Sequence, residues 1–353
     1  MFDIRDLFTA RQPTFGQRLA RGCLRGLSIP YRAVMVGRNL AFDWRVFRSH
    51  RSALPVISVG NLSVGGTGKS PAVAWIARWL RERGIRVAIL SRGYGQLDSG
   101  QNDEALELEL QLPDVPHLQH WDRVASAKLA EEELEMQTLL LDDGFQHRRM
   151  SRDLDIVLLD ATDPPCARRL LPGGLLREPM SALRRAHLVM LTRADQVAES
   201  TLAKLRHKIA LSNPHVPIVH CRHRPDHLLS FPKSQLPLSD LVGKRVLAFC
   251  AIGNPRSFFQ GLGELGVTLV DQRTWPDHHA YTAEDVAAIE LWGQTQPEAE
   301  LLVCTVKDWV KLQTPQIGRL PLLALAIELK MISGQADLEV ALEQIVGVAR
   351  CFP

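Results

Sequence analysis

The sequence predicts an α/β protein built on a mostly parallel sheet with helices on both faces. Short apolar runs alternate with amphipathic runs along residues 53–213, and this alternation is typical of parallel strands joined by crossover helices. A second, smaller α/β block is predicted beyond a proline-rich stretch at 214–237. Ligands bind sheets of this kind at the carboxyl ends of the strands. The residues that follow the strands are therefore the first candidates for a functional site.

The individual elements follow from the spacing of apolar residues. In the first block, strands are predicted at 55–59, 86–90, 138–141, 156–159 and 188–191. Helices in this block are predicted at 72–81, 124–135 and 198–211. In the second block a strand begins near Lys244 and a helix near Ser257, and the remaining elements are strands at 268–270 and 301–305 and a last helix at 336–348.

The chain has 353 residues, which is long enough for two domains that each bury a core. We predict a helical segment at 1–52, a first domain at 53–213, a linker at 214–237 and a second α/β domain at 238–333. The C-terminal segment 334–353 is predicted to form a helix that packs back on the first domain.

A glycine-rich turn follows the first predicted strand and reads Ser63-Val64-Gly65-Gly66-Thr67-Gly68-Lys69-Ser70. Glycines permit positive φ and bring backbone N–H groups close to phosphate oxygens. A lysine at this place reaches the β- and γ-phosphates, and the serine hydroxyl that follows it ligates Mg²⁺. A helix beginning near Pro71 would point its positive end at the same anion. Although Ser63 stands where the usual pattern has glycine, all eight residues are predicted to bind nucleotide, which makes the first domain P-loop NTPase-like.

A second predicted strand, at 138–141, ends in Asp142 and Asp143. In P-loop folds an acidic residue at the end of such a strand helps to hold the metal ion. Asp142 or Asp143, together with Ser70, is therefore predicted to bind Mg²⁺. A surface strand end that carries aspartate for solubility is the simpler alternative.

The composition indicates a soluble globular protein, with 46% hydrophobic and 23% charged residues. Six scattered cysteines without a C-x-x-C pair argue against a disulfide framework and a zinc site, and they fit a reducing compartment. Cys250 and Cys304 lie in apolar runs and are predicted to be buried. No apolar stretch approaches the roughly 20 residues needed to span a bilayer, and no signal peptide is expected.

The N-terminal segment is strongly basic. Residues 1–52 contain ten Arg, three Asp and no Lys or Glu, whereas the whole chain has a net charge of only +3. At helical spacing, arginines and apolar residues fall on opposite faces, which predicts an interfacial helix attracted to anionic lipid headgroups. An arginine-rich solvated face packed on its own domain is the alternative. Nucleic acid is not expected as a partner, because aromatic and basic residues are not interleaved.

Several motifs together resemble the tetraacyldisaccharide 4′-kinase family of lipid A biosynthesis. They span nearly the whole chain in the expected order: VISVGNLSVGGTGKSP (56–71), LSRGYG (90–95), LLLDDGFQHRR (139–149), LPGGLLREP (171–179), GNP (253–255) and PDHHAYTAEDV (276–286). The resemblance implies that ATP phosphorylates the 4′-hydroxyl of a tetraacyldisaccharide 1-phosphate at the cytoplasmic face of the bacterial inner membrane. No obligatory protein partner is implied.

The resemblance also implies a catalytic pair. The family's Gly-Asp-Glu-Pro string is matched here in part by residues 102–105, so Asp103 is the candidate base that accepts the proton of the sugar hydroxyl, with Glu104 next in line. A histidine pairs with that aspartate in the family, and His278 is the match, with His279 as its neighbour and competitor. A carboxylate would orient the imidazole and favour its charged form. With Lys69 these residues form the predicted catalytic set.

The predicted domains place Asp103 in the first and His278 in the second. Domain closure would then assemble the site only when both substrates are bound, which would limit hydrolysis of ATP by water. The family's Thr-Glu-Lys-Asp string is matched by Lys307 and Asp308, which are expected to be structural or hinge residues.

The same resemblance implies residues that bind the acceptor. Arginine can grip a phosphate bidentately, and the acceptor carries a 1-phosphate. A glutamate could accept hydrogen bonds from sugar hydroxyls. The predicted substrate-binding residues are Arg92, Tyr94, Arg123, Gln146, His147, Arg177 and Glu178. A surface ion pair is the alternative role for each arginine.

Two other functions compete with this one. A GTPase or nucleotide switch protein would use Asp195, in the string Thr-Arg-Ala-Asp at 192–195, to read guanine, but arginine replaces the usual lysine and no D-x-x-G motif follows Asp142. A nucleotide-gated scaffold at the membrane surface would use the basic N-terminus without catalysis. Preference for GTP would support the first, and ATP binding without a lipid acceptor would support the second.

Overall fold

The structure is a computed structural model that describes residues 14–93, 103–163 and 169–351. The chain divides into two compact units. Unit 1 comprises Met1–Arg92, Val115–Arg222 and Lys330–Pro353, and unit 2 comprises Gly93–Asp114 and His223–Leu329.

Unit 1 contains a parallel sheet with the strand order β7-β6-β5-β1-β4-β2-β3. Its strands are β1 (Val56–Asn61), β2 (Val87–Ser91), β3 (His117–Gln119), β4 (Thr138–Asp142), β5 (Leu154–Asp160), β6 (Leu188–Thr192) and the start of β7 (Ile218–Ser230). The predicted α/β fold class is therefore confirmed. β1 is central, and every residue of β1, β4, β5 and β6 is buried, as expected for parallel strands covered on both faces.

The helices of unit 1 begin and end close to the predicted positions. They are α1 (Phe15–Asp43), α2 (Lys69–Glu82), α4 (Arg123–Glu132), α5 (Glu199–Ala210) and α9 (Gln335–Ala349); α3 belongs to unit 2. Short 3₁₀ helices lie at Met180–Arg185 and Ala194–Gln196. α1 begins at a capping box in which the Thr14 hydroxyl accepts from the backbone of Gln17. No helix in the described ranges is both long enough and apolar enough to cross a bilayer.

Polar contacts attach α1 to the rest of unit 1. The hydroxyl of Ser28 donates to the carbonyl of Leu170 at 3.0 Å and accepts from the backbone N–H of Gly173 at 2.8 Å. The Tyr31 hydroxyl donates to the carbonyl of Arg177 at 3.0 Å. A Cβ at position 173 would lie 2.4 Å from the Ser28 hydroxyl, so glycine is needed for this close approach.

Unit 2 contains parallel strands that pair in the order β10-β9-β11-β13. Its strands are β9 (Arg245–Cys250), β10 (Thr268–Thr274), β11 (Leu301–Thr305) and β13 (Leu320–Ser333), with short antiparallel additions at β8 (Ser234–Leu236) and β12 (Gln316–Ile317). Its helices are α3 (Asp103–Gln111), α6 (Pro255–Glu264), α7 (Ala283–Thr295) and α8 (Val306–Leu312), with a 3₁₀ turn at Leu238–Leu241. Cys250 and Cys304 are fully buried, as predicted.

Two parts of the predicted domain organisation differ from these units. Residues 103–114 lie in unit 2, because Leu106 and Leu110 of α3 pack against the unit 2 core. The predicted linker at 214–237 is largely β7 and β8. Because proline is compatible with strand starts, edges and bulges, a proline-rich composition did not distinguish these strands from a flexible connection.

Candidate active site

The glycine-rich turn lies where it was predicted, between β1 and α2. Gly65 and Gly68 have φ of +132° and +89°, values that favour glycine, whereas Gly66, also predicted to need positive φ, does not have it. Gly68 is the N-cap of α2 and makes no side-chain cap, and the first turn carries no acidic residue. The N-terminal N–H groups of α2 are therefore directed at this turn and are not capped by a side chain of the helix start, which is the arrangement that binds phosphate.

Side chains at the ends of β1 and β6 hold the turn. Asn61, the last residue of β1, donates to the Thr67 hydroxyl at 2.9 Å, and the Thr192 hydroxyl at the end of β6 donates to the Thr67 carbonyl at 2.9 Å. Arg193 donates to the Gly66 carbonyl at 3.1 Å and forms a buried ion pair with Asp160 at the end of β5. These contacts fix the turn before any ligand binds, which lowers the entropic cost of binding.

The topology explains why Asp143 lies beside the turn. β1 and β4 are adjacent and parallel, with Val59 opposite Asp142, so their carboxyl ends meet at one edge. Lys69 Nζ lies 3.7 Å from Asp143 Oδ1, and Arg177 Nη1 donates to Asp143 Oδ2 at 2.6 Å. Burial raises the pKa of Asp143, but the two cations outweigh burial and lower it to about 2. Asp143 is thus ionised at neutral pH.

Arg123 holds the backbone at this edge of the sheet. Its guanidinium donates to the carbonyls of Asp142 and Asp143 at 2.9 and 3.1 Å, and the side chain is buried. It therefore fixes the turn in which Asp143 adopts a φ of +51°. The resemblance implied contact with the acceptor, but these contacts give Arg123 a positioning role.

The residues at this edge fit a magnesium ion. Ser70 and Asp142 supply buried oxygen atoms, and Asp143 supplies an ionised carboxylate. Mg²⁺ prefers oxygen ligands and is bound through one or two carboxylates together with substrate phosphates. Such a site does not require three or more protein ligands. The described residues contain no group of three or more His, Cys, Asp or Glu side chains that could hold a metal ion.

Glu178, predicted to bind sugar hydroxyls, is instead fully buried. Arg185 pairs with both of its oxygens at 3.1 Å, and Asn39 of α1 donates to Oε2 at 2.7 Å. The Arg185 guanidinium also lies over the Phe145 ring, 4.4 Å from its centroid. These partners occupy both oxygens, so the structure gives Glu178 a role in attaching α1 to the rest of unit 1.

Replacing Glu178 by alanine should lower the free energy of unfolding by about 3–5 kcal/mol, because it leaves the buried Arg185 cation without a carboxylate. Urea denaturation of the purified protein measures this change. Glu343→Ala is the matched control: its pair with Arg83 is exposed, so the expected loss is at most about 1 kcal/mol. Equal losses in both variants would contradict the structural role.

The other predicted acceptor residues lie in several environments. Gln146 donates to the carbonyl of Asn61 at 2.9 Å, next to the glycine-rich turn. His147 follows it, and burial together with Arg123 lowers its pKa to about 4, so it is neutral at pH 7. Arg92 is exposed just after β2. Tyr94 lies outside the described residues.

Unit 2 brings Asp103 and His278 together. Asp103 is the first residue of α3, and His278 Nδ1 lies 2.9 and 3.0 Å from its two carboxylate oxygens. Both residues belong to unit 2, so domain closure is not needed to form this pair. His278 has a φ of +62° and its backbone N–H donates to the carbonyl of Ala251 at 3.2 Å. The strained backbone is thus tied to the end of β9.

The ionisation of the pair follows from its contacts. Burial raises the pKa of the Asp103 carboxyl, but the hydrogen bond and charge of His278, with Lys307 and Lys311, hold it well below its ordinary range. The hydrogen bond that His278 donates to Asp103 raises the pKa of His278, although burial opposes this. The two shifts therefore both favour an anionic Asp103 and a cationic imidazole over the neutral pair.

The structure separates the residues that the sequence left as alternatives. His279 Nε2 pairs with Asp285 at 2.8 Å, while Glu104 pairs with Lys307 at 2.9 Å. Lys311 Nζ lies 2.9 Å from Asp103 Oδ2, a contact that was not predicted from the sequence. The spacing of four residues between Lys307 and Lys311 places both amines on one face of a helix, and this spacing could have indicated the contact with Asp103.

A glycine-rich turn with an uncapped helix start, a lysine and an acidic strand end on a parallel sheet defines an α/β protein of the P-loop class. Residues 20–347 match the family model LpxK, described as tetraacyldisaccharide-1-P 4′-kinase. The chain belongs to this tetraacyldisaccharide 4′-kinase family.

Curated relatives and a solved structure agree with this membership. The tetraacyldisaccharide 4′-kinase of Geobacter metallireducens is 37% identical and covers 93% of this chain and 99% of its own length. The tetraacyldisaccharide 4′-kinase of Syntrophus aciditrophicus is 38% identical, and the match covers 87% of this chain and 88% of that protein. The crystal structure of LpxK from Aquifex aeolicus in complex with ATP has a TM-score of 0.73 at 29% identity, covering 92% of this chain and 99% of that one.

Proposed function

We propose that this protein transfers the γ-phosphoryl group of ATP to the 4′-hydroxyl of a tetraacyldisaccharide 1-phosphate, giving the 1,4′-bisphosphate. The observation that carries the proposal is the Lys69–Asp143–Arg177 cluster at the uncapped start of α2. A kinase needs this concentration of donors and cations where phosphoryl charge develops. The names of the family and its relatives support the acceptor, and the related crystal structure in complex with ATP supports the donor.

In the proposed reaction the 4′-oxygen forms a bond to the γ-phosphorus, and the bond from that phosphorus to the β–γ bridging oxygen breaks, releasing ADP. The proton of the hydroxyl passes to Asp103, whose ionised carboxylate can accept it. Lys69 and the N–H groups at residues 65–70 bind the phosphates. Ser70 with Asp142 or Asp143 would hold Mg²⁺, which neutralises phosphate charge. Arg92, Tyr94, Gln146, His147 and Arg177 are proposed to bind the acceptor.

Exposed residues of α1 support a membrane-binding role. Leu19, Leu27 and Ile29 are 62%, 56% and 73% exposed, and Arg18 and Arg25 are exposed beside them. A helix with exposed leucine and arginine binds anionic bilayers through both apolar burial and charge. We propose that this helix places the enzyme on the cytoplasmic face of the inner membrane, where a lipid acceptor would lie.

Replacing Leu19, Leu27 and Ile29 by serine should reduce binding to anionic liposomes at least about tenfold, because each side chain contributes roughly 1.5–3 kcal/mol when fully buried. Sedimentation with vesicles measures the partition. A matched control is Val340→Ser on α9, which is 61% exposed in the same unit and should bind as the unchanged protein does. If the triple variant binds equally well, α1 is a solvated face and the membrane proposal fails.

The test of the proposed activity is phosphate transfer in detergent micelles that contain the disaccharide 1-phosphate and Mg²⁺. ATP is expected to support formation of a product with a second phosphate, and GTP to do so poorly. Efficient use of GTP without phosphorylation of the lipid would instead support the switch-protein alternative, in which Asp195 reads the base.

A further inference from the structure

The amine of Lys311 contacts Asp103 of the proposed catalytic pair and the backbone next to His278. Its Nζ lies 2.9 Å from Asp103 Oδ2 and donates to the carbonyl of His279, the neighbour of His278, at 3.1 Å. We propose that Lys311 is a positioning residue for phosphoryl transfer, holding the Asp103 carboxylate and the His278 backbone in one geometry. This inference rests on the proposed function and assigns a further residue to it.

Lys311 can do this because its own helix is fixed. Asp308, one turn before it on α8, is fully buried and accepts from the backbone N–H of Ala251 at 3.1 Å and from the Tyr281 hydroxyl at 3.0 Å. The carbonyl of the same Ala251 accepts from His278 N–H. α8 therefore holds the residues around His278 through Asp308 on one side and through Lys311 on the other.

The burial of Lys311 indicates that its charge is needed to hold Asp103 and the backbone next to His278 in place. The side chains of Lys311 and Asp103 are only 4% and 6% exposed, and removing an ion pair from water is costly. A methionine of similar length would fill the space without that cost. The amine is instead directed at two oxygen atoms from two different segments, as expected for a group that sets their separation.

Several other charged groups lie around Asp103 and His278. They decide whether loss of the Lys311 charge raises or lowers the pKa of His278. Lys307 and Asp308 lie on α8, Glu104 and Glu107 on α3, and Asp277 and His278 on the segment before α7. Lys307 is already paired with Glu104 at 2.9 Å. Removing the Lys311 charge would thus leave His278 as the main partner of Asp103, so the imidazole would bind its proton more tightly.

The decisive variant is Lys311→Met in the full chain. We expect kcat to fall about 10²-fold, as for a reacting group displaced by about 1 Å, while the Kd for ATP changes less than about twofold. Histidine ¹⁵N NMR, with the signal identified from His278→Gln, should show the pKa of His278 rising. Lys311→Arg should recover part of the lost kcat. Lys244→Met, which removes a surface pair with Glu300, should change neither quantity.

Other outcomes overturn the proposal in distinct ways. An unchanged kcat in Lys311→Met would exclude a positioning role. A lower kcat with the pKa of His278 falling toward its ordinary value would show that the segment had only lost its structure. Should Lys311→Met not fold, Lys311→Gln retains an amide donor without the charge, and the same two measurements decide. Absence of lipid phosphorylation by the unchanged protein would refute the proposed function instead.

Discussion

Replacing Lys69 by methionine should lower kcat for phosphoryl transfer by about 10³-fold or more. Lys69 lies at the first position of α2 and 3.7 Å from Asp143, so its amine is the cation nearest to the place where phosphates would bind. Removing a single charge-stabilising donor from such a site costs about 10²–10³ in kcat, and removing a cation that contacts the transferred group costs about 10³–10⁵. Single-turnover measurement with labelled ATP gives the loss directly.

The Lys69 variant also tests the electrostatics of the cluster. Without the lysine, Asp143 keeps Arg177, so the protein should fold and retain a normal far-ultraviolet circular dichroism spectrum. Lys204→Met, an exposed lysine of α5 in the same unit, is the control and should retain full activity. Activity within about tenfold of normal in Lys69→Met would mean that the phosphates bind elsewhere.

Replacing Asp103 by asparagine should lower kcat about 10²–10⁴-fold while leaving the Kd for ATP unchanged. The carboxylate is buried, ionised and hydrogen-bonded to His278, which fits a base that accepts the proton of a sugar hydroxyl. Asparagine keeps the shape but cannot accept that proton. Glu104→Gln is the discriminating control, because Glu104 pairs with Lys307 and should cost far less activity. If Glu104→Gln is the more damaging change, Glu104 is the base.

The same variant should change how the stability of the folded protein depends on pH. Because the pKa of Asp103 is lowered in the folded state, its ion pair stabilises the protein above the ordinary aspartate pKa of about 3.9, and this contribution is lost as the pH falls through the folded-state value. Because the pKa of His278 is raised, its contribution is complete below about pH 6.5 and is lost as the pH rises through the raised value. In Asp103→Asn both contributions should disappear, which thermal denaturation across pH can measure.

The sequence was sufficient to predict what depends on strand order and local chemistry. Gly65, Gly68 and Lys69 follow one buried strand, and Asp143 follows the strand that pairs with it, so the phosphate-binding edge could be predicted from motif and topology. The pairing of Asp103 with His278, which are 175 residues apart, could be inferred only from the resemblance to a family. Periodicity alone contains no information about that contact.

The sequence could not predict which charged residues near the site are buried, or which core a short helix packs against. Arg123 and Glu178 stand in motifs next to the site, and their charges suggested contact with a ligand, yet both side chains are buried and directed at protein groups. Residues 103–114 belong to unit 2, although the sequence predicted the first domain, because the apolar face of a nine-residue helix does not reveal which core it joins. The role of Lys311 could not be predicted because two lysines on one face of a short helix are typical of a solvated surface, and their partners lie on distant segments.

Phosphorylation of the 4′-hydroxyl of a lipid disaccharide is the activity on which the proposed catalytic and substrate-binding roles depend. The most direct test incubates the full-length protein with γ-labelled ATP, Mg²⁺ and either tetraacyldisaccharide 1-phosphate or its 4′-deoxy analogue in detergent micelles. The proposal predicts one labelled phosphate on the first acceptor, assigned to the 4′-position by NMR, and none on the analogue. Label on the 4′-deoxy analogue, or hydrolysis of ATP with no labelled lipid, would contradict it.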